Sequence, residues 1–264
     1  MTTTMDGGRT RETAPRRTVS VLGAPFDVID WDTALGRIRR WAEAHESRYV
    51  CICNAHSVVT ATRDADFARA LASADMATPD GAPVAWMARR LGHAEQTRIN
   101  GPDLMAHYFE QAADIGEPVF LYGGTQATLD ALVAALRERL PELVVAGAYS
   151  PPFRPLTEAE EEDVVRRVND SGARTLWVSL GCPKQELWMA RMHGRIRAVM
   201  VGVGAAFDFH AGTIARAPAW MQGAGLEWLH RLSSEPRRLW KRYLVTNTAF
   251  IVGAARQLLS SRTH

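Results

Sequence analysis

The residues of this chain that could do chemistry follow short apolar runs, at the points where strands are predicted to end. They are Asn54, Asp80, Gly123, Gly124, Thr125, the segment 181–185 and the segment 207–210. These positions offer a carboxylate, several amides and glycine turns next to helix starts. The free N–H groups of a helix start bind phosphate oxygens, and a carboxylate beside them can take a proton from a hydroxyl group. The sequence therefore predicts a site for a phosphate-bearing ligand, with Asp80 as a candidate general base.

The elements that must position these residues alternate between strand and helix patterns. Apolar runs typical of strands lie at 18–22, 49–55, 75–80, 118–124, 143–150, 175–181 and 197–207, and helical patterns separate most of them. Such alternation is typical of a parallel sheet with helices on both faces, whose ligands bind outside the carboxyl ends of the strands. We predict a Rossmann-like α/β fold with a mostly parallel sheet.

The composition divides the chain into three parts. Residues 1–17 carry arginines without a following apolar run, so we predict a disordered tail there and no secretory signal. Strand patterns stop near Gly212, and cations and aromatic rings concentrate after it. We therefore predict an α/β catalytic core over 18–212 and a helical C-terminal appendage over 213–264.

The overall composition is that of a globular protein. Of 264 residues, 47% are hydrophobic and 23% are charged, and the net charge is only +2. The three cysteines, Cys51, Cys53 and Cys182, cannot all be paired in disulfides, so we expect a reducing, cytoplasmic compartment. No apolar run reaches the roughly 18 to 20 residues of a membrane span. We expect no nucleic-acid partner.

The segment from Arg216 to Arg242 combines cations with large aromatic rings. Its six cations face only two carboxylates, and the rings of Trp220, Trp228, Trp240 and Tyr243 lie within it or directly after it. This chemistry suits the anionic headgroup layer of a bilayer, so we predict a membrane-surface segment. Two alternatives stay open, which are a basic helix that packs its Trp and Leu side chains into a core, and an apolar stripe that a second subunit covers.

Each candidate at the strand ends also has a structural explanation. Asp80 begins an Asp-Gly turn dipeptide, and Asp often caps a helix that has a proline such as Pro83 in its first turn. Asn54 fits a turn at the end of a strand. Gly123 and Gly124 fit a tight turn that glycine makes without strain. The sequence alone leaves these alternatives open.

Metal and thiol chemistry are less well supported. Cys51 and Cys53, with His56, lack a second ligand pair at a suitable spacing, so we expect no metal site. Cys182 lies between a glycine and a proline without a recognisable catalytic partner, and we interpret it as structural.

Two further motifs follow the strand pattern at 197–207. Asp208 and His210 could bind ligand or act as a second acid or base, or they could form a hydrogen-bonded turn. The run GVGAAF at 202–207 lacks the third glycine of a dinucleotide-binding motif, so an oxidoreductase is a weaker alternative.

Several motifs resemble the WecG/TagA/CpsF glycosyltransferases (glycosyltransferase family 26), which extend lipid-linked sugars on the cytoplasmic membrane face. The resemblance covers roughly residues 19 to 245 and rests on ADMATPDGAPVAWMARRLG, TRINGPDLM, CICNAHS, GCPKQELWMAR and the C-terminal basic block. It implies that Asp80 is the catalytic base and that Arg98 contacts substrate. Asn54 matches an asparagine of the family motif and is a candidate substrate-binding residue. Gln185 matches a residue of the sugar site, and Lys184 either adds charge near a diphosphate or is solvated.

The resemblance implies an inverting, metal-independent transfer of a hexose-type sugar. The donor would be a UDP-sugar and the acceptor a polyprenyl-diphosphate-linked saccharide of cell-surface polysaccharide, such as an exopolysaccharide or a teichoic acid. Ile52 stands where the family usually has threonine, so the sugar could be ManNAc, ManNAc uronic acid or glucose.

No DxD carboxylate pair is placed to hold a metal, so we expect no cofactor. Cations of the C-terminal block would then stabilise the leaving diphosphate, namely Arg231, Arg238, Lys241 and Arg242. The protein would associate peripherally with the inner face of the plasma membrane, with homo-oligomerisation possible. The alternative from another class is a catalytically silent scaffold that binds nucleotide sugar at the membrane surface.

Overall fold

The structure is a computed structural model that describes residues 16–234 and 236–261, except for the side chains of Arg238 and Arg242. The strands are β1 (Thr18–Val21), β2 (Ala24–Asp27), β3 (Arg48–Cys53), β4 (Met76–Pro79), β5 (Val119–Gly123), β6 (Val145–Tyr149), β7 (Thr175–Ser179) and β8 (Val199–Gly202). The helices are α1 (Trp31–Glu43), α2 (Ala55–Ala61), α3 (Ala65–Ala72), α4 (Ala82–Arg90), α5 (Gly101–Asp114), α6 (Gln126–Arg139), α7 (Glu158–Asp170), α8 (Lys184–Met192), α9 (Ala206–His210), α10 (Ala219–Gly223), α11 (Glu227–Ser234) and α12 (Pro236–Ser260).

Six strands form one parallel sheet in the order β4-β3-β8-β7-β5-β6, which confirms the predicted α/β fold. The register places Cys53 opposite Pro79 and Gly123 opposite Ser179. The carboxyl ends of these strands therefore meet along one edge of the sheet, where the predicted site residues follow them. Strands β3, β4, β5 and β8 are almost entirely buried, which explains why they read as continuous apolar runs.

Helices cover both faces of the sheet, and each face has its own apolar core. Phe67, Trp188 and Phe250 pack on one face, and Phe109 and Trp177 pack on the other. Because Phe250 belongs to α12, the last helix contributes to the core of the fold as well as to its surface.

The structure contains elements that the sequence prediction missed. Strand β2 pairs with β1 in an antiparallel hairpin, and the helical pattern at 56–74 is divided into α2 and α3. The division occurs because the Asp64 side chain accepts hydrogen bonds from the N–H groups of Asp66 and Phe67, each at 3.0 Å, and so begins a new helix. Helix α5 begins in the same way, where the Asn100 side chain accepts from Asp103 N at 3.0 Å.

The hairpin is held to the sheet by a buried carboxylate. Asp27 is 1% exposed and forms salt bridges with Arg16 at 2.7 Å and with Arg37 at 2.9 Å. It also accepts a hydrogen bond from Ala77 N at 2.7 Å. Residues 1–15 of the predicted tail lie outside the described residues, but Arg16, which we placed in the tail, contacts the folded core.

The C-terminal segment runs back over the core. Helix α12 packs along α2, and it passes so close to the hairpin turn that a Cβ on Gly253 would lie 2.4 Å from Leu22 Cδ2. Within the described residues, no helix combines the length and the hydropathy that a membrane crossing requires.

Candidate active site

Asp80 lies directly after β4, at the carboxyl edge of the sheet. Its backbone N–H donates to Cys53 O at 2.8 Å, which fixes it beside the end of β3. Helix α4 begins after Gly81, whose φ of 86° makes the turn, and no side chain caps this helix. The alternative that Asp80 is a helix cap is therefore wrong. Among the described residues, the Asp80 carboxylate has no hydrogen-bond or ion-pair partner.

The surroundings of Asp80 favour a proton acceptor that works near neutral pH. Burial raises the pKa of Asp80 to about 6, against the nearby positive charge of Arg98, which lowers it. Glu227 adds to the increase and Arg231 opposes it. A carboxyl with this pKa is ionised at neutral pH and holds a captured proton more strongly than an ordinary aspartate does.

A network of ion pairs surrounds this carboxylate. Arg98 contacts Glu227 at 3.1 Å, and both side chains are 19% exposed. Arg216 donates to Asp103 at 2.9 Å, and its Nε lies 3.9 Å from Glu227. Asn100 donates to the same Asp103 carboxylate at 2.6 Å. The network joins the start of α5 to the C-terminal segment, so the segment after residue 212 forms one wall of the site.

The sequence prediction missed Asp103 and the pairing of Arg216 and Glu227. Arg216 and Glu227 were noted only as charges of a basic block, and their partners lie 113 and 129 positions away in the chain. A local signal did exist for Asp103, because an asparagine followed within three positions by a proline and an acidic residue is typical of a helix start.

Asn54 follows β3 and caps α2. Its side-chain oxygen accepts from His56 N at 2.9 Å and from Ser57 N at 3.4 Å. A Cβ on Gly81 would lie 3.9 Å from the Asn54 Cβ, so Asn54 and the Asp80 turn are neighbours. Because Asn54 is exposed and its amide nitrogen has no partner among the described residues, the structure leaves that nitrogen available to a ligand.

The Gly123-Gly124 turn follows β5 on the same edge. A Cβ on Gly123 would lie only 2.3 Å from Ser179 O, so this position requires glycine. Thr125 caps α6 by accepting from Thr128 N at 3.0 Å. Asp208 accepts a longer hydrogen bond of 3.5 Å from the Thr128 hydroxyl, which places it beside the same helix start.

Gln185 lies in the first turn of α8, next to the loop that follows β8. It is buried, its amide oxygen accepts from Gly204 N at 3.2 Å, and its amide nitrogen donates to Glu186 Oε1 at 2.9 Å. Burial raises the pKa of Glu186, whose Oε2 has no partner among the described residues. These contacts tie α8 to the loop after β8. Lys184, one residue earlier, is exposed.

His210 fits the hydrogen-bonded turn that we gave as an alternative. Its Nε2 lies 2.8 Å from the carbonyl oxygen of Pro102, an acceptor that requires the ring to donate. Burial lowers the pKa of His210. His210 therefore links α9 to the start of α5, and its Nε2 is occupied by that contact.

The predicted C-terminal cations occupy different places. The Arg231 guanidinium lies 5.7 Å from the Phe209 ring and acts on the charge of Asp80. Lys241 lies 5.5 Å from the Trp240 ring and lines a groove beside α2. The side chains of Arg238 and Arg242 lie outside the described residues. The structure thus brings Arg98 and Arg231 towards Asp80 and places Lys241 farther along α2.

Metal and thiol chemistry find no support in the described part of the chain. It contains no group of three or more His, Cys, Asp or Glu side chains placed to hold a metal ion. Cys51 and Cys53 are buried, and a hydrogen bond with Cys51, together with burial, raises the pKa of Cys53. A thiol with a raised pKa is a poor nucleophile.

Comparison with known protein families agrees with this geometry. A model described as the glycosyl transferase WecG/TagA/CpsF family matches residues 19–264, which is nearly the whole chain. Glycosyltransferases of this family act in cell-surface polysaccharide synthesis. The chain belongs to the WecG/TagA/CpsF family of glycosyltransferases.

Proposed function

We propose that this protein is an inverting glycosyltransferase that needs no metal ion. It moves a hexose-type sugar from a UDP-sugar to a polyprenyl-diphosphate-linked saccharide. The observation that carries the proposal is the Asp80 carboxylate, which lies unpaired at the carboxyl edge of the sheet with a pKa raised to about 6.

The reaction is a single displacement. Asp80 takes the proton of the acceptor hydroxyl, and that oxygen attacks the anomeric carbon from the face opposite the UDP. The new glycosidic C–O bond forms as the bond between the anomeric carbon and the diphosphate oxygen breaks, so the configuration inverts. The electron pair of the broken bond leaves with UDP, and the proton stays on Asp80.

Cations and helix starts supply the charge that the leaving diphosphate needs. Arg98 and Arg231 lie on the Asp80 side of the edge, and the N–H groups at the start of α6 follow the Gly124 turn. Preorganised donors of this kind stabilise a developing anion without reorganisation during the reaction. Arg238, Lys241 and Arg242 remain candidates for the same role once both substrates are bound.

Because the proposed acceptor is anchored in the membrane by its polyprenyl chain, the enzyme would act at the inner face of the plasma membrane. The C-terminal segment supports this proposal, because Trp220 is 68% exposed and Trp240 is 49% exposed beside exposed Arg237 and Lys241. Exposed aromatic rings beside cations match the headgroup layer of an anionic bilayer.

The identity of the sugar is set around the end of β3. Ile52, at the position where we expected a donor-contacting hydroxyl, is 7% exposed and packs in the core. ManNAc, ManNAc uronic acid and glucose remain the candidates. The exposed amide of Asn54, directly after β3, is then a polar group that can select among them.

Two measurements test the function. UDP-sugars are first screened for protection of the full-length chain against thermal unfolding, since a bound donor raises the apparent stability. The donor that protects is then used in transfer assays with the wild type and with Asp80→Asn. We expect Asp80→Asn to keep donor protection and to lose at least about 100-fold in kcat, the typical contribution of a general base. Transfer within fivefold of the wild type would refute the role of Asp80, and donor binding without any transfer by the wild type would favour the scaffold alternative.

A further inference from the structure

A groove runs between α2 and α12, on the outer side of the helix that begins at Asn54. Its larger part, of about 650 Å³, is lined mainly by aliphatic side chains and aliphatic stems. Its smaller part, of about 300 Å³, lies nearer the start of α2 and is lined by His56, Thr60 and Lys241 among others. Val59, Arg63 and Val245 line both parts, so the two form one continuous groove.

The groove changes character along its length. At the end nearer the start of α2, which Asn54 caps, the lining includes His56 and Lys241. Farther along α2, the lining consists of groups such as Leu22, Leu244 and Val252. With a rise of 1.5 Å per residue, the stretch of α12 from Lys241 to Arg256 extends over about 22 Å. The groove is therefore long and mostly apolar, with Lys241 at the end nearer Asn54, Arg63 along both parts and Arg256 in the larger part.

Among the described residues, no carboxylate forms an ion pair with the arginines and the lysine along this groove. Arg63 and Arg256 are exposed, and neither has an ion-pair partner among the described residues. Lys241 contacts the ring of Trp240, and it has no carboxylate partner among the residues that the structure describes. An apolar groove bordered by unpaired cations complements an amphiphile with one long hydrocarbon chain and an anionic phosphate head.

We propose that this groove binds the first part of the acceptor's polyprenyl chain. The acceptor diphosphate is held by Arg63 and by Lys241, which then does not contact the leaving diphosphate of the donor. The inference rests on the proposed function and adds a place for the lipid. Helix α2, which follows Asn54, would then carry the sugar site at its start and the lipid site along its side. The saccharide attached to the diphosphate would point towards Asp80.

Two neighbouring residues of α12 provide a matched test in the full-length chain. Val252 is 45% exposed and lines the groove, whereas Ile251 is 65% exposed and does not line it. Both side chains are solvent-accessible, so Val252→Glu and Ile251→Glu are both expected to fold, and thermal unfolding checks this. In Val252→Glu the new carboxylate lies four residues before Arg256, a spacing that favours an ion pair on a helix. The variant therefore places a charged, hydrated group in the apolar part of the groove.

The readout is the KM for two acceptors that share the saccharide and diphosphate but carry a long polyprenyl or a short alkyl chain. We expect Val252→Glu to raise the KM for the long-chain acceptor at least tenfold and to change the KM for the short-chain acceptor less than twofold. Ile251→Glu should change neither KM by more than twofold. An equal rise in the KM for the long-chain acceptor in both variants would show that this face of α12 lies on the bilayer surface. An unchanged KM in both variants would show that the groove does not bind the lipid. Either result overturns the proposal.

A second measurement separates this proposal from the proposed function. A photoreactive analogue of farnesyl diphosphate is cross-linked to the wild type and the adducts are mapped, which requires no sugar transfer. Adducts on α2 and α12 that disappear in Val252→Glu support the lipid site even if the transfer assay is silent. Adducts elsewhere, or none, overturn it. Sedimentation velocity tests whether a second copy of the chain occupies the groove instead. A wild-type dimer that dissociates in Val252→Glu but not in Ile251→Glu would show that it does, and would overturn the proposal.

Discussion

The unpaired carboxylate of Asp80 should make the folded protein less stable at neutral pH. An ordinary aspartate has a pKa of 3.8, and burial raises the pKa of Asp80 to about 6. The folded state therefore binds a proton more tightly than the unfolded state does. By linkage, stability falls as pH rises through the interval between these two values, and the loss is complete above about pH 6.5. Asp80→Asn, which cannot ionise, should escape this loss.

The size of the effect follows from the same pKa values. The change from 3.8 to about 6, at about 1.4 kcal/mol for each pKa unit, sets an upper limit of about 3 kcal/mol. Asp80 is partly open to solvent, and a buried asparagine amide also needs partners, so we halve this to about 1.5 kcal/mol. For a chain of this length, that corresponds to about 3 to 6 °C in Tm.

The assay is thermal unfolding of the wild type and Asp80→Asn between pH 4 and pH 8. We expect equal Tm values near pH 4, a difference that grows in favour of the variant up to about pH 6.5, and a constant difference above that. Asp103→Asn is the matched control with the opposite sign. Burial raises the pKa of Asp103, but hydrogen bonds from Arg216 and Asn100 outweigh burial and lower it overall. Asp103→Asn should therefore lose stability at neutral pH.

One result would refute this reasoning. If Asp80→Asn is less stable than the wild type at neutral pH, or if the difference does not change with pH, then the Asp80 carboxylate has a stabilising partner in solution. Its assignment as a free proton acceptor would then fail together with the stability argument.

The remaining predictions concern the pH profile and the glycine turn. Protonation of Asp80 should make kcat/KM fall below about pH 6, and Glu227→Gln should move this acidic limb to lower pH, because the Glu227 charge adds to burial in raising the pKa of Asp80. An unchanged limb would contradict the contact between these charges. Gly123→Ala should lower the free energy of unfolding by about 3 kcal/mol or more, since its Cβ would lie 2.3 Å from Ser179 O. The control Gly116→Ala, with a φ of 62° and no atom within 4 Å, should cost only about 1 kcal/mol, and equal losses in the two variants would contradict the close approach.

The sequence was sufficient to predict that the candidate site residues lie along one edge of the sheet. Asn54, Asp80 and Gly123 each follow a continuous apolar run, and buried parallel strands produce such runs. Since the carboxyl ends of parallel strands share one edge, the pattern alone predicted that these residues are close together. In the structure, Asp80 N donates a hydrogen bond to Cys53 O, so the ends of β3 and β4 are adjacent.

The sequence was not sufficient to predict how the side chains pair. Whether Asp80 caps a helix depends on the turn at Gly81, and Asp-Gly followed by proline is compatible with either outcome. The contacts of Gln185 could not be predicted either, because Gly204, which donates to its oxygen, follows a different strand. Ion pairs such as Arg98 with Glu227 join distant parts of the chain, so only the folded structure selects them.

The charges around Asp80 suggest how proton transfer and leaving-group departure are coupled. Three carboxylates, on Asp80, Asp103 and Glu227, lie among three guanidinium groups, on Arg98, Arg216 and Arg231. While Asp80 is ionised, these charges balance. In the proposed reaction, the net charge of this cluster becomes more positive by one when Asp80 takes the acceptor proton, while negative charge develops on the diphosphate. Asp103 and Glu227 are held in ion pairs, which disfavour protonation of their carboxylates. Under the proposed mechanism, the unpaired Asp80 therefore receives the proton, and the added positive charge lies at the same place.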